Sequence, residues 1–136
     1  MNNERVLIVD DDESVRWVLK KSLEKEGIET VLAKNAAEAL ERIKEEDIAI
    51  VLMDIRMPGM SGLDALDKIQ ADGHGISVII MTAQATMQNA IEAMRRGAFD
   101  YITKPFDLDE VNILLKKAIE VRRLSQEVTA LRAEVR

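Results

Sequence analysis

The feature that most constrains this chain is a regular alternation of short apolar runs with longer amphipathic stretches. Arg5–Val9 is a run rich in Val, Leu and Ile that three aspartates stop, the pattern of a strand buried on both faces. Ser14–Glu26 then sets Val15, Val18, Leu19 and Leu23 on one helical stripe, with Gly27 as its stop. A second strand is expected at about Glu29–Ala33. Asn35, with Glu38 three residues on, caps a helix whose buried stripe is Ala39, Leu40 and Ile43. Ile48–Met53 reads as the third strand, and Gly62–Ala71 as a helix with Leu63, Leu66 and Ile69 inward, ended by the Asp72-Gly73-His74-Gly75 turn. Val78–Met81 is the fourth strand, Gln88–Arg96 a helix carrying Ile91 and Met94 and closed by Gly97, Tyr101–Thr103 the fifth strand, and a last helix starts near Leu108. Strands joined by helices imply an α/β, doubly wound, five-stranded parallel sheet with helices on both faces, because right-handed crossovers allow few other arrangements.

Composition narrows the function. With 47% hydrophobic and 32% charged residues in 136, one globular core is expected. No apolar run approaches the roughly 20 residues that span a bilayer, and no basic segment leads into an apolar one at the N-terminus, so a cytoplasmic protein without membrane contact is expected. The absence of cysteine excludes thiol catalysis and thiolate metal sites. The net charge is -6, and residues 107–136 hold six acidic and six basic side chains, so the excess negative charge lies before Asp107. Nucleic-acid phosphates require a basic face, and direct contact with them is not expected here.

In doubly wound sheets functional groups gather at the carboxyl ends of the strands, where strand order reverses. The first expected strand ends in Asp10, Asp11 and Asp12, the third in Asp54, the fourth in Thr82, and the fifth is followed by Lys104. All fall on that edge. Each has a plainer reading: the aspartates could cap the first helix, as Asp12 suits, while Thr82 could be a strand-end hydroxyl and Lys104 a solvated charge. Their convergence favours a site.

Taken together, Val9-Asp10-Asp11-Asp12, Met53-Asp54-Ile55-Arg56-Met57-Pro58-Gly59-Met60-Ser61-Gly62, Met81-Thr82-Ala83 and Phe99-Asp100-Tyr101-Ile102-Thr103-Lys104-Pro105-Phe106 resemble the response-regulator receiver family. The resemblance covers residues 4 to about 120, and Arg16-Trp17-Val18-Leu19 with Gly97-Ala98-Phe99-Asp100-Tyr101 is similar to its NtrC branch. It implies a flavodoxin-like fold and a phosphorylation switch: Asp54 accepts phosphate from a sensor histidine kinase with Mg²⁺ as cofactor. The implied metal ligands are Asp11, Asp54 and the Arg56 backbone carbonyl, with Asp10 acting through water. Lys104, the Thr82 hydroxyl and the Ala83 backbone N–H are implied on the phosphoryl oxygens, Thr82 and Tyr101 as the switch pair, and Lys104-Pro105 as a cis junction.

These residue types suit the chemistry. A carboxylate attacking a phosphoryl group meets like-charge repulsion, so cations must be supplied, and Mg²⁺ prefers oxygen ligands and retains water. Pro58 keeps Met57 out of helical conformation and Gly59 permits positive φ, which allows the chain to bend after Asp54 and turn the Arg56 carbonyl toward the site. A phosphatase using Asp54 as nucleophile would need an acid–base carboxylate two residues later, where Arg56 stands. Trp17 is expected at a helix edge and His74 on an exposed turn.

A stand-alone receiver, serving as phosphate carrier or protein-binding module, is the other reading. Against it, Val121, Leu124, Val128, Leu131 and Val135 follow a coiled-coil spacing. The expected organisation is a receiver over 1–120 and a linker helix over 121–136 that supports a homodimer. By the same resemblance, the linker leads toward an AAA+ ATPase domain that activates transcription with the alternative sigma factor, and a DNA-binding domain.

Overall fold

The computed structural model describes residues 5–72, 75–83 and 86–135, with side chains described as far as residue 125. Strands β1 (Arg5–Val9), β2 (Thr30–Ala33), β3 (Ile48–Asp54), β4 (Ser77–Thr82) and β5 (Asp100–Thr103) alternate with helices α1 (Glu13–Lys25), α2 (Ala36–Glu45), α3 (Gly62–Ala71), α4 (Met87–Arg95) and α5 (Leu108–Val135). All strands pair in parallel, in the order β2-β1-β3-β4-β5. This is the expected doubly wound sheet.

The period-two geometry of the strands divides the core. Leu7, Val9, Val51, Met53, Val78 and Ile80 face one layer with Ala39 of α2, Leu66 and Ile69 of α3 and Ala93 of α4. Their neighbours Val6, Ile8, Ile50, Leu52, Ile79 and Met81 face the other, against Leu19 and Leu23 of α1 and Val111, Leu115 and Ala118 of α5. Every residue of β3 is buried, as expected of a strand covered on both sides. Helix starts follow side-chain chemistry: Asp12, Asn35, Ser61 and Thr86 each accept from a backbone N–H of the turn they open.

Some expectations shift. β3 runs one residue further, through Asp54, and α4 opens at Met87 because Thr86 caps it. Val18 does not join the buried stripe of α1, being 37% exposed, and Ile91 and Met94 are 52% and 48% exposed because the small Ala93 is the residue of α4 that meets the sheet. Trp17 stands out from α1 with the Lys21 ammonium 5.8 Å from its ring. His74 and the side chains of Val128, Leu131 and Val135 lie outside the described residues. No helix of the described residues is long and apolar enough to cross a membrane.

Candidate functional site

Strand order reverses between β1 and β3, since the chain leaves β1 toward β2 on one side and returns through β3 on the other. Val9 pairs with Met53, which sets the residue following each of them side by side. Asp10 and Asp54 therefore meet at the carboxyl edge, and each of Asp10, Asp11 and Asp54 offers a carboxylate oxygen, all within 4.8 Å of one another. Asp10 is 1% exposed and Asp54 8%, whereas Asp11 is open to solvent.

Lys104 supplies the opposing charge. Its ammonium donates to Asp10 Oδ2 at 2.6 Å and to Asp54 Oδ2 at 3.2 Å. The Lys104 N–H bonds the Thr82 carbonyl at 2.8 Å, and the Lys104-Pro105 peptide is cis. Burial pushes the Asp54 carboxyl above its ordinary range; Lys104 offsets part of this, and the Asp10 charge adds to it. Burial alone would pull the Lys104 ammonium down, but the hydrogen bond to Asp10 and the charges of Asp10 and Asp54 outweigh it, and the net shift is upward. Two carboxylates share one ammonium, and the nearer holds it more firmly.

The turn after β3 is fixed from two sides. Ile55 N–H bonds the Met81 carbonyl at 3.1 Å, Gly62 N–H bonds the Ile55 carbonyl at 2.8 Å, and Arg56 N–H points to Asp54 Oδ1 at 3.4 Å. Gly59 has φ +85°, the conformation expected after Pro58. An open depression of about 550 Å³ beside the site is lined by Asp11, Ile55, Arg56, Met57, Pro58 and Ser61. On the β4 side Thr82 is 1% exposed and ends its strand, with Ala83 following it. Tyr101, partly buried, packs against the core layer shared with α3 and α4. Thr82 pairs with Thr103 and Ile80 with Tyr101 across the β4–β5 ladder.

The fold thus brings Asp10, Asp11, Asp54, Arg56, Thr82, Ala83 and Lys104 to one edge, with Tyr101 on the adjoining strand. Asp12 turns away from the cluster and caps α1 through Ser14 N–H at 2.9 Å. Two residues at the site were not legible in the sequence. Arg16 NH1 donates to the Asp10 carbonyl at 2.6 Å, and Gly62 lies so near β3 that a Cβ there would stand 2.3 Å from the Asp54 carbonyl oxygen. No spacing rule signals either contact; α3's close approach could have been suspected from a glycine at a helix start.

What this arrangement is can be read by comparison. Residues 6–120 match the family model described as response regulator receiver domain. The regulatory protein AtoC of Escherichia coli is 42% identical over 93% of this chain and 28% of the relative's length. The DNA-binding transcriptional regulator NtrC of the same organism is 45% identical over 84% of this chain and 24% of its own. The chain thus spans about a quarter of these relatives. The solution structure of the beryllofluoride-activated NtrC4 receiver domain dimer superposes with a TM-score of 0.82 at 33% identity, covering 87% of this chain and 98% of that one. An acidic triad and a lysine at the switch point of a doubly wound sheet, with these matches, show that the chain belongs to the response regulator receiver domain family and is a phosphorylation switch of the NtrC type.

Proposed function

We propose that Asp54 is the phosphoacceptor, a reading carried by one observation: its carboxylate sits at the strand edge between two further aspartates and a lysine 3.2 Å away. An Asp54 oxygen attacks phosphorus, the bond from phosphorus to the donor breaks, and the electron pair leaves with the donor, the histidine imidazole of a sensor kinase. Lys104 steadies the charge that spreads over the phosphoryl oxygens, and the Thr82 hydroxyl and Ala83 N–H donate to them. The same groups assist later hydrolysis, so the domain aids its own phosphorylation and dephosphorylation.

Three carboxylate oxygens within 4.8 Å suit a hard divalent cation. Asp11, Asp54 and the Arg56 carbonyl would hold Mg²⁺, with Asp10 reaching it through water, and the ion would supply the positive charge that lets a carboxylate approach a phosphoryl group. Thr82 then follows the phosphoryl group, and Tyr101 occupies the space it leaves near α4.

The receiver spans residues 1–120, and 121–136 form a linker helix. The unbroken run of α5 to Val135, beyond the end of the family match at residue 120, supports this. Val121 and Leu124, 44% and 52% exposed, begin an apolar seam that suits a second copy of the chain, and the similar NtrC4 receiver forms a dimer. Through this helix a homodimer would regulate an AAA+ transcription-activating ATPase domain.

Intact mass after incubation with acetyl phosphate tests the central claim. One phosphoryl group should add to the wild type only with Mg²⁺ present, and none to Asp54→Asn. Equal labelling of the two proteins would refute it.

A further inference from the structure

We propose that Arg16 is a positioning residue for the acidic pocket, acting through the Asp10 backbone carbonyl. The proposal rests on the reading of Asp10, Asp11 and Asp54 given above.

Asp10 is held at every polar atom. Its N–H bonds the Ala33 carbonyl at 3.2 Å, Oδ1 accepts from Asp12 N–H at 2.9 Å, and Oδ2 accepts from the Lys104 ammonium at 2.6 Å. The carbonyl accepts from Arg16 NH1 at 2.6 Å. The first three partners belong to the sheet, the turn and the site lysine. Arg16 is none of these: it stands on α1, six residues on, and folds its side chain back across the β1–α1 turn. Its own N–H bonds the Asp12 carbonyl at 3.1 Å, so the helix there is regular and the reach comes from the side chain alone.

The consequence falls on Asp11. A peptide unit is planar, so the Asp10 carbonyl shares one plane with the nitrogen and Cα of Asp11. Fixing that oxygen holds the Asp11 Cα, and the bond from Asp12 N–H to Asp10 Oδ1 holds the far side of the same residue, so together they set how its side chain leaves the backbone. Asp10 itself is buried and locked, but Asp11 is exposed and depends on the turn for its aim. A guanidinium suits the task, because its charge-assisted bond to a carbonyl is stronger than a neutral one.

Two effects of opposite sign compete when Arg16 is replaced. Losing a cation near three carboxylates would strengthen cation binding, whereas loosening the turn would weaken it. Arg16 is partly exposed, so its charge is screened by solvent, while its short bond to a buried carbonyl is not. Positioning therefore dominates.

Calorimetric titration of Mg²⁺ into wild type, Arg16→Gln and Arg16→Lys separates the two, alongside acetyl phosphate labelling across Mg²⁺ concentrations and thermal melts without the ion. Arg16→Gln should bind Mg²⁺ about tenfold more weakly, the usual scale for an outer-shell partner, with labelling at saturating Mg²⁺ within about twofold of wild type. Arg16→Lys, which keeps the charge but not the fork, should fall between them. Affinity in Arg16→Gln equal to or tighter than wild type overturns the proposal. Should that variant not fold, Arg16→Lys decides, and wild-type affinity there is the refuting result. A wild type that neither binds Mg²⁺ nor labels at Asp54 refutes the site itself, a different outcome.

Discussion

The Lys104 ammonium lies 2.6 Å from Asp10 Oδ2, a bond that closes 94 residues of chain and ties β5 to β1 across two intervening strands. Replacing the lysine leaves two buried carboxylates facing each other. Lys104→Met should lower unfolding stability at pH 7 by about 2 kcal/mol, below the usual figure for a fully buried pair because the lysine is 18% exposed. The lysine's pKa is raised above its ordinary 10.5, so its contribution is complete below that value and fades as pH rises through the folded pKa. Urea midpoints for both proteins from pH 7 to 11 check this; a gap that grows at high pH contradicts it.

Asp54→Asn should behave oppositely. A carboxyl whose folded pKa is raised favours the folded state below its unfolded pKa, and that advantage is lost as pH rises through the folded value. At pH 7 burial disfavours a charged Asp54, a cost that asparagine removes while Asp10 keeps Lys104 engaged. The variant should melt higher at pH 7, with each 1 kcal/mol gained worth about 3–6 °C, and the difference should disappear near pH 3. A lower melting temperature at pH 7 is the contrary result.

Gly62→Ala tests the close approach of α3 to β3. The added Cβ would stand 2.3 Å from the Asp54 carbonyl oxygen and 2.8 Å from Ile55 Cα, both backbone atoms that cannot swing aside. Destabilisation of about 3 kcal/mol is expected, together with slower acetyl phosphate labelling, because the carbonyl displaced belongs to Asp54, the proposed phosphoacceptor. Wild-type stability would mean that α3 slides freely.

Thr82→Ala removes the hydroxyl proposed to link modification to response. Coupling between sites typically amounts to about 1–3 kcal/mol, and both conformations should exist before phosphorylation and shift in population after it. Backbone NMR shifts of residues 86–106 should move on phosphorylation of the wild type and barely in Thr82→Ala, although both carry phosphate. Equal movement in the two proteins rules out the Thr82–Tyr101 route.

The C-terminal seam is tested by sedimentation. About two heptads make a marginal coiled coil alone, so receiver surfaces must contribute to association. Leu124→Asp/Leu131→Asp should shift the protein toward monomer by placing carboxylates in the seam. Identical association constants for variant and wild type would remove the seam from the dimer and favour the stand-alone reading.

Local patterns in the chain already determined the element order, the parallel sheet and the edge on which the functional residues collect. Val6 to Val9 and Ile48 to Met53 read as strands covered on both faces, and Asp10, Asp54, Thr82 and Lys104 stand at or just beyond strand ends, so parallel strands bring them to one edge of the sheet. The burial of α4 was less legible, because its sheet contact is made by Ala93, whose small side chain gives a weaker periodic signal than Ile91 or Met94 on the solvent side. Tertiary structure alone decided that the lysine lies nearer Asp10 than Asp54 and that Arg16 reaches back to the Asp10 carbonyl. The physical reason is one of scale: hydrophobic periodicity is written along five to ten neighbouring residues, whereas a 2.6 Å bond between residues 94 apart depends on the register of every strand between them.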